Sequence, residues 1–189
     1  MTVERPTIAL GSDHAGVKLR EAIALHLMRK YPIVDKGTFE TDASTNIIDY
    51  TDFAEKVADE VASGQCQFGI LICGTGNGMS IAANKIDGIR CAVCNDLKSV
   101  EWVRRHNDAN ILALGARILD DDVNVALSIV EIFLSTPFDD SASIGGKDGR
   151  HERRLRKIAA LEKRRRIRPK QNPDDFCQGC PLCTPKPRK

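Results

Sequence analysis

The sequence predicts an α/β protein: a three-layer α/β/α sandwich around a five-stranded parallel sheet, with a basic helix and a flexible tail at the C-terminus. Two observations predict the sheet. Predicted strands and helices alternate along the chain, and each strand is a continuous apolar run, as in residues 68–72. Strands of this kind are buried on both faces, so helices must cover the sheet on two sides.

The first half of the chain contains three predicted strands with a helix in each interval. Apolar residues recur at helical spacing in both helices, and Gly64 ends the second helix. Residues 37–47 are polar and predict a loop. In order, the elements are strand 7–11, helix 15–29, strand 32–35, helix 49–63 and strand 68–72.

The second half continues the alternation with two further strands. Residues 106–108, His-Asn-Asp, are polar and predict a turn directly before the last strand. In order, the elements are helix 79–85, strand 89–93, helix 97–105, strand 110–114 and helix 121–135.

A glycine-rich turn over residues 73–78, Cys-Gly-Thr-Gly-Asn-Gly, joins the third strand to the next helix. Because every second residue is glycine, successive N–H groups can point into one concavity, which favours an anion. Cys73, at the entrance, is a candidate base for chemistry with an anionic intermediate. Two other interpretations stay open: the loop binds a phosphate or nucleotide without catalysis, and Cys73 only packs in the core.

Polar residues also follow the first and last strands. Asp13 and His14 follow the first strand, and Arg117 follows the last. Ligands of parallel sheets bind beyond the carboxyl ends of the strands, so these side chains are candidates for a common site. His14 is alternatively a cap of the next helix. His106 precedes its strand, so only the fold can explain its position, and it is alternatively an exposed turn residue.

Composition favours a soluble cytoplasmic protein with no membrane partner. No apolar run approaches the length that spans a bilayer, and residues 1–6 are polar. The seven cysteines are an odd number, and four of them lie in or beside predicted strands, which indicates reduced thiols. The net charge is +2, but most of the excess of Lys and Arg lies after Gly146.

This change in composition predicts a domain over residues 1–166 and a flexible tail over 167–189. Residues 145–149 predict a flexible joint, and residues 150–166 predict a basic helix whose thin apolar stripe suits contact with another surface, such as a second subunit. Its arginines are alternatively a solvated face, and the few aromatic residues give no support for nucleic-acid binding. The tail has cysteines at 177, 180 and 183, one fewer than the four ligands that zinc prefers, so we expect no metal and no cofactor. A zinc or iron–sulfur site in the tail is the alternative.

Several segments together carry a resemblance to a known family. In family order they are Gly11-Ser12-Asp13-His14-Ala15-Gly16, Asp49-Tyr50, residues 72–85, Gly88-Ile89-Arg90, residues 106–110, Gly115-Ala116-Arg117, and Gly149-Arg150-His151 with Arg154. In these segments the chain resembles the type B ribose-5-phosphate isomerases, a family that includes galactose-6-phosphate and allose-6-phosphate isomerase subunits. The resemblance covers roughly residues 7–162.

The resemblance implies a Rossmann-like fold, a homodimer or a dimer of such dimers, and a site at the subunit boundary. It implies the reversible conversion of an aldose phosphate into a ketose phosphate without a metal. Cys73 matches the base that moves a proton between C1 and C2, and His106 matches the histidine that opens the ring. The other matches are to the enediolate pocket (Gly74, Thr75, Gly76, Asn77 and Gly78), to phosphate contacts (His14, Arg117, Arg150 and Arg154) and to the sugar site (Asp13, Tyr50 and Asn107).

The residues themselves suit this chemistry. Arginines grip a phosphate dianion through paired donors, and a histidine titrates near neutrality, as ring opening requires. The chain departs from the family in a longer segment over residues 38–48, in Thr51 where proline is usual, and in its C-terminal extension. Isomerases of galactose 6-phosphate, allose 6-phosphate or a tetrose phosphate are therefore alternatives to a ribose 5-phosphate isomerase. A phosphate-binding module without catalysis is another alternative.

Overall fold

The computed structural model describes residues 5–41, 48–119, 122–139 and 149–167. The strands are β1 (Ile8–Ser12), β2 (Ile33–Asp35), β3 (Phe68–Cys73), β4 (Cys91–Val93) and β5 (Ile111–Gly115). The helices are α1 (Val17–Leu27), α2 (Tyr50–Ala62), α3 (Asn77–Ala83), α4 (Leu97–Asn107), α5 (Ala116–Leu119), α6 (Val123–Ser135) and α7 (Arg150–Ile167). A 3₁₀ turn over His14–Gly16 connects β1 to α1.

The sheet is parallel throughout and has the strand order β2-β1-β3-β5-β4. The three central strands are buried almost along their whole length, whereas the edge strands β2 and β4 are shorter and partly exposed. This architecture confirms the predicted fold class.

A separate apolar core fills each side of the sheet. On one side, Leu10 and Ile72 pack with Ile23, Val100 and Phe133, which lie on α1, α4 and α6. On the other side, residues such as Ala9, Leu71, Val57 and Met79 form the core beneath α2 and α3. Neighbouring residues of one strand therefore serve opposite cores, which explains why the strands are continuous apolar runs.

The structure differs from the prediction at three places around the last two strands. Helix α4 continues through His106 and Asn107, so these residues form its last turn and only Asp108 lies in the connection to β5. Arg117 lies in α5, a short helix that the sequence analysis did not predict. Residues 89 and 90, predicted as strand, precede β4 instead.

Arg20 on α1 is fully buried, which the helical pattern did not predict. Its guanidinium pairs with Asp35 and donates to the carbonyl of Thr38 over 2.8 Å. It also lies so close to Gly37 that a β-carbon there would come within 2.2 Å of Nη1. Arg20 thus anchors the first part of the polar segment that follows β2.

The predicted C-terminal helix is present as α7, and it buries little of its own surface. Ile158 on its apolar stripe is 40% exposed and Leu161 is 61% exposed. The predicted joint lies largely outside the described residues, as do the tail beyond residue 167 and its three cysteines. The four cysteines of the sheet region are buried free thiols. Within the described part of the chain, no helix is both long and apolar enough to cross a membrane.

Candidate functional site

The first group of predicted site residues lies at the carboxyl edge of the sheet. The ends of β1, β3 and β5 are aligned there, since Ser12 pairs with Ile72 and Cys73 pairs with Gly115. The backbone N–H of Asp13 donates to the carbonyl of Ile72 over 3.3 Å, which holds the loop after β1 against β3. We call this group the carboxyl-edge cluster; it consists of Asp13, His14, Tyr50, residues 73–78 and Arg117.

Asp13 is nearly buried and caps the 3₁₀ turn, with its Oδ1 accepting from the N–H of Ala15 over 3.0 Å. Burial raises the pKa of this carboxyl, against the opposing influence of His14, the N–H groups of Ala15 and Gly16, and Arg117. Beside it, the Oγ of Ser12 and the Nδ1 of His14 are buried polar atoms without a hydrogen-bond partner among the described residues. Such atoms normally have a partner, so they are candidate contacts for a polar ligand.

Cys73 is the last residue of β3, and its buried thiol lies at the mouth of the glycine loop. The N–H of Gly76 donates to Sγ over 3.2 Å. Gly76 adopts a positive φ of 79° and is the N-cap of α3, so the chain turns sharply from strand to helix at this residue. Thr75 and Asn77 are exposed.

Two side chains enclose the glycine loop, one on each side. The N–H of Arg117 donates to the carbonyl of Gly74 over 3.0 Å, and a β-carbon on Gly74 would come within 3.2 Å of the guanidinium. On the other side, a β-carbon on Gly78 would lie 2.6 Å from the ring of Tyr50. The alternating glycines therefore let a cation and an aromatic ring approach the loop backbone closely.

The second group of predicted site residues lies at the end of α4 and the start of α7. The ring of His106 stacks on that of His151, with centroids 4.2 Å apart and planes inclined by 11°. The ring of Trp102 lies on His106 at 4.6 Å. Nε of Arg150 donates to Nε2 of His151 over 3.2 Å. We call His106, Asn107, Arg150, His151 and Arg154 the helix-end cluster.

Arg150 and Arg154 lie one turn apart on α7 and are both exposed. At this spacing two side chains share one helix face, so the two guanidiniums can bind one anion together. Asn107 lies in the last turn of α4 and lines an open groove of about 350 Å³ that runs to Ile158 on α7.

The two clusters lie at opposite edges of the sheet. Helix α4 starts after the carboxyl end of β4 and ends before the amino end of β5, so His106 lies at the amino edge. Cys73 is level with Gly115 at the other end of β5. The amino and carboxyl ends of β5 are about 13 Å apart, because the strand has five residues. The length of β5 therefore keeps the two clusters apart within one chain.

Burial lowers the pKa of His106, and His151, Arg150 and Arg105 lower it further, against a smaller opposing influence of Asp139. We therefore expect the neutral imidazole of His106 to persist to lower pH than that of an ordinary histidine. Replacing His151 by Phe keeps a flat ring in the stack and removes the electrostatic influence of His151 that lowers the pKa of His106, so this pKa should rise. NMR titration of the His106 ring, assigned with a His106→Gln variant, measures both values. Titration at or above the ordinary histidine value, or no response to His151→Phe, would contradict this account.

The sequence analysis missed three residues that contact the predicted site. His151 and Trp102 enclose the His106 ring, and Ser12 adds a buried hydroxyl beside Asp13. His151 was part of the family resemblance but had no assigned role, and Trp102 appears in the sequence only as an aromatic residue one helical turn before His106. Among the described residues, no group of three or more His, Cys, Asp or Glu side chains could hold a metal ion.

Comparisons with known proteins agree on one family. The family model described as Ribose/Galactose Isomerase matches residues 8–158. Ribose-5-phosphate isomerase B of Escherichia coli (strain K12) is 42% identical over 159 residues, which cover 84% of this chain and 97% of that protein. The structure of Clostridium thermocellum ribose-5-phosphate isomerase B has a TM-score of 0.75 at 45% identity and covers 84% of this chain and 99% of that one.

A further similar structure contains a ligand. Ribose-5-phosphate isomerase B of Mycoplasma genitalium, with bound ribulose-5-phosphate, has a TM-score of 0.73 at 38% identity and covers 83% of this chain and 96% of that one. The match to the family model extends over the sheet and both clusters. The chain therefore belongs to the Ribose/Galactose Isomerase family and is an isomerase rather than a phosphate-binding module without catalysis.

Proposed function

We propose that the protein interconverts ribose 5-phosphate and ribulose 5-phosphate, with Cys73 as the base and His106 as the ring-opening group. The observation that carries this proposal is the position of Cys73. Its Sγ lies at the start of the glycine-rich loop and accepts a hydrogen bond from the N–H of Gly76 over 3.2 Å, and Arg117 lies beside the loop at Gly74. The names of the similar proteins, and the ribulose-5-phosphate bound to the Mycoplasma genitalium structure, support the five-carbon substrate.

The reaction proceeds in two stages. His106 moves a proton between the anomeric hydroxyl and the ring oxygen, which opens the sugar to the free aldehyde. The Cys73 thiolate then takes the proton from C2, and the electron pair moves onto the carbonyl oxygen O1 to form an enediolate. Backbone N–H groups of residues 74–78 and the hydroxyl of Thr75 stabilise this charge. Transfer of the proton on O2 to O1, and return of the proton held by Cys73 to C1, yields the ketose.

The phosphate holds the substrate in register for both stages. His14 and Arg117 offer donors at the carboxyl edge, while Arg150 and Arg154 offer a second pair of cationic donors in the helix-end cluster. Asp13, Tyr50 and Asn107 line the sugar between these groups. Because the phosphate is gripped at one end, C1 and C2 are fixed against Cys73, and this placement supplies a large share of the rate.

One chain cannot offer both clusters to one substrate. The separation of about 13 Å along β5 exceeds the reach of an extended five-carbon sugar phosphate. We therefore propose a homodimer in which the carboxyl-edge cluster of each chain meets the helix-end cluster of the other. The exposure of the apolar stripe on α7 supports this assembly, because an isolated helix with exposed Ile158 and Leu161 gains little by packing on its own chain.

Substrate choice tests the proposed function directly. Ketose formation is measured with ribose 5-phosphate, allose 6-phosphate, galactose 6-phosphate and erythrose 4-phosphate under identical conditions. We expect the highest kcat/KM with ribose 5-phosphate. We also expect His106→Ala to lower this value far more for ribose 5-phosphate than for the four-carbon aldose, which cannot close a stable ring through its phosphorylated end.

A higher kcat/KM with a six-carbon sugar phosphate would contradict ribose 5-phosphate as the preferred substrate. The reaction class, aldose–ketose isomerisation, would stay the same. Equal damage by His106→Ala with the four-carbon and five-carbon substrates would contradict ring opening as the role of His106. The Cys73→Ala variant serves as the inactive control in all of these assays.

A further inference from the structure

Asp108, directly after the helix-end cluster, has an unusual backbone conformation. Its φ of 45° and ψ of 46° are left-handed, and within the described ranges no other non-glycine residue has a positive φ. A side chain in this region is strained, and glycine or asparagine is the usual choice at the end of a helix. A strained residue beside a proposed site suggests that the surrounding structure holds it there for a purpose.

The strained residue sets the course of the chain between His106 and β5. The N–H of Asp108 donates to the carbonyl of Arg104 over 3.2 Å, and the next N–H, of Ala109, donates to the carbonyl of Val103 over 3.3 Å. These two bonds close the last turn of α4, which is the turn that carries His106 and Asn107. The conformation of Asp108 therefore helps to fix the backbone of the turn that carries His106.

Two arginines hold the carboxylate of Asp108 from different parts of the chain. Nη1 of Arg104 donates to Oδ1 over 2.9 Å, and Nη2 of Arg90 donates to Oδ2 over 2.7 Å. Nε of Arg90 also donates to the backbone carbonyl of Asp108 over 2.7 Å. Charged hydrogen bonds of this geometry are stronger than neutral ones, so the residue is fixed through both its side chain and its backbone.

This frame is anchored in the core. Arg104 is nearly buried, lies over the rings of Phe68 and Phe133, and donates to the carbonyls of Ala109 and Thr136. Arg90 is anchored through its own backbone N–H, which donates to Oδ1 of Asn110 over 2.8 Å. Asp108 thus connects the end of α4 to the start of β5 and to the end of α6.

We propose that Asp108, clamped by Arg90 and Arg104, is a positioning residue that directs His106 and its stacking partner His151 toward the substrate. The predicted effect of Asp108 on the reaction rate rests on the proposed role of His106. Its predicted effect on the position of the His106 ring does not. Asp108 itself does not contact the reacting atoms. Its carboxylate stabilises a backbone conformation that a glycine would permit but would not hold.

Three substitutions separate the parts of this role. Asp108→Ala removes the clamp and keeps a β-carbon in the strained region, Asp108→Gly removes the clamp and the strain, and Asp108→Asn keeps the shape without the charge. We expect Asp108→Ala to lower kcat on ribose 5-phosphate by about tenfold or more, since small displacements of a reacting group are costly, with a smaller change in KM. The loss should be intermediate for Asp108→Gly and smallest for Asp108→Asn.

A second readout does not require activity. The His106–His151 stack gives the His106 ring protons a ring-current shift, and Asp108→Ala and Asp108→Gly should change it in NMR spectra of the full-length protein. Arg90→Met, which removes two of the donors to Asp108, should change it in the same direction. Asp96→Ala is the matched control: Asp96 caps the other end of α4, so its loss lowers the thermal midpoint without moving His106.

The outcomes are distinguishable. Unchanged His106 resonances in Asp108→Ala, or a kcat loss no larger than that of Asp96→Ala, would overturn the proposal. If Asp108→Ala does not fold, Asp108→Asn, Asp108→Gly and Arg90→Met decide by the same two measurements. If His106→Ala retains full activity, the proposed role of His106 fails, whereas the NMR comparison still decides whether Asp108 positions the ring.

Discussion

Replacing Cys73 by Ala is expected to lower kcat for ribose 5-phosphate by about 10²- to 10⁴-fold, because a positioned base contributes a factor of this size. The substitution removes one sulfur at the mouth of the glycine loop and leaves the loop backbone and Arg117 in place. Binding of a sugar phosphate that cannot isomerise, such as the five-carbon sugar alcohol phosphate, should therefore change little. Stopped assays of ketose formation and calorimetric titration measure the two quantities.

Cys91→Ala is the matched control for this prediction. Cys91 is also a buried thiol in the sheet, but burial raises its pKa to about 12, and it lies at the start of β4 rather than at a strand's carboxyl end. We expect this variant to keep its kcat. Near-normal turnover by Cys73→Ala would contradict the role of Cys73, and a parallel loss in Cys91→Ala would show that the effect comes from damage to the fold.

Mixed dimers are expected to recover activity that neither parent variant has. One parent carries Cys73→Ala, and the other carries Arg150→Ala with Arg154→Ala. Each arginine replaced removes a charged hydrogen bond to the phosphate, worth about 1.5–3 kcal/mol, so the second parent should lose about two orders of magnitude or more in kcat/KM. In a mixed dimer, one of the two sites combines an intact Cys73 with intact arginines from the other chain.

Co-expression with two different affinity tags isolates the mixed dimers. Their activity should reach about half that of the wild type, since a two-fold dimer has two equivalent sites. A third parent, His106→Ala, should complement Cys73→Ala equally well, because His106 stacks beside α7 in the helix-end cluster. No recovery with either partner would show that all of these residues serve one site from one chain. A fully active monomer would overturn the shared site.

The fold and one half of the site could be predicted from the sequence. The alternation of elements and the continuous apolar strands determined a parallel sheet with two helical layers. In such a sheet the carboxyl ends of all strands meet at one edge, so Asp13, the glycine loop and Arg117 had to lie near each other. This inference needed only the order of elements along the chain.

The helix-end cluster depended on boundaries that local patterns do not determine. The polar run His106-Asn107-Asp108 predicted a turn, but α4 extends two residues further than predicted. The extension ends at Asp108, whose left-handed conformation is held by Arg104 of the same helix and by Arg90, which precedes β4. The contact with Arg90 joins residues far apart in sequence, and no local pattern contains that information.

The sequence by itself determined the fold class, the family and the carboxyl-edge cluster. The fold class follows from the alternation of elements and the family from its motifs, and the cluster follows because parallel strands place their carboxyl ends at one edge whatever their order in the sheet. Only the tertiary structure decided that His106 lies at the opposite edge from Cys73, that His151 stacks on it, and that Arg20 is buried beneath the segment after β2. The physical reason is the same in each case. The path of a helix across a sheet sets which edge its last turn reaches, and the burial of a charge depends on a partner supplied by another element.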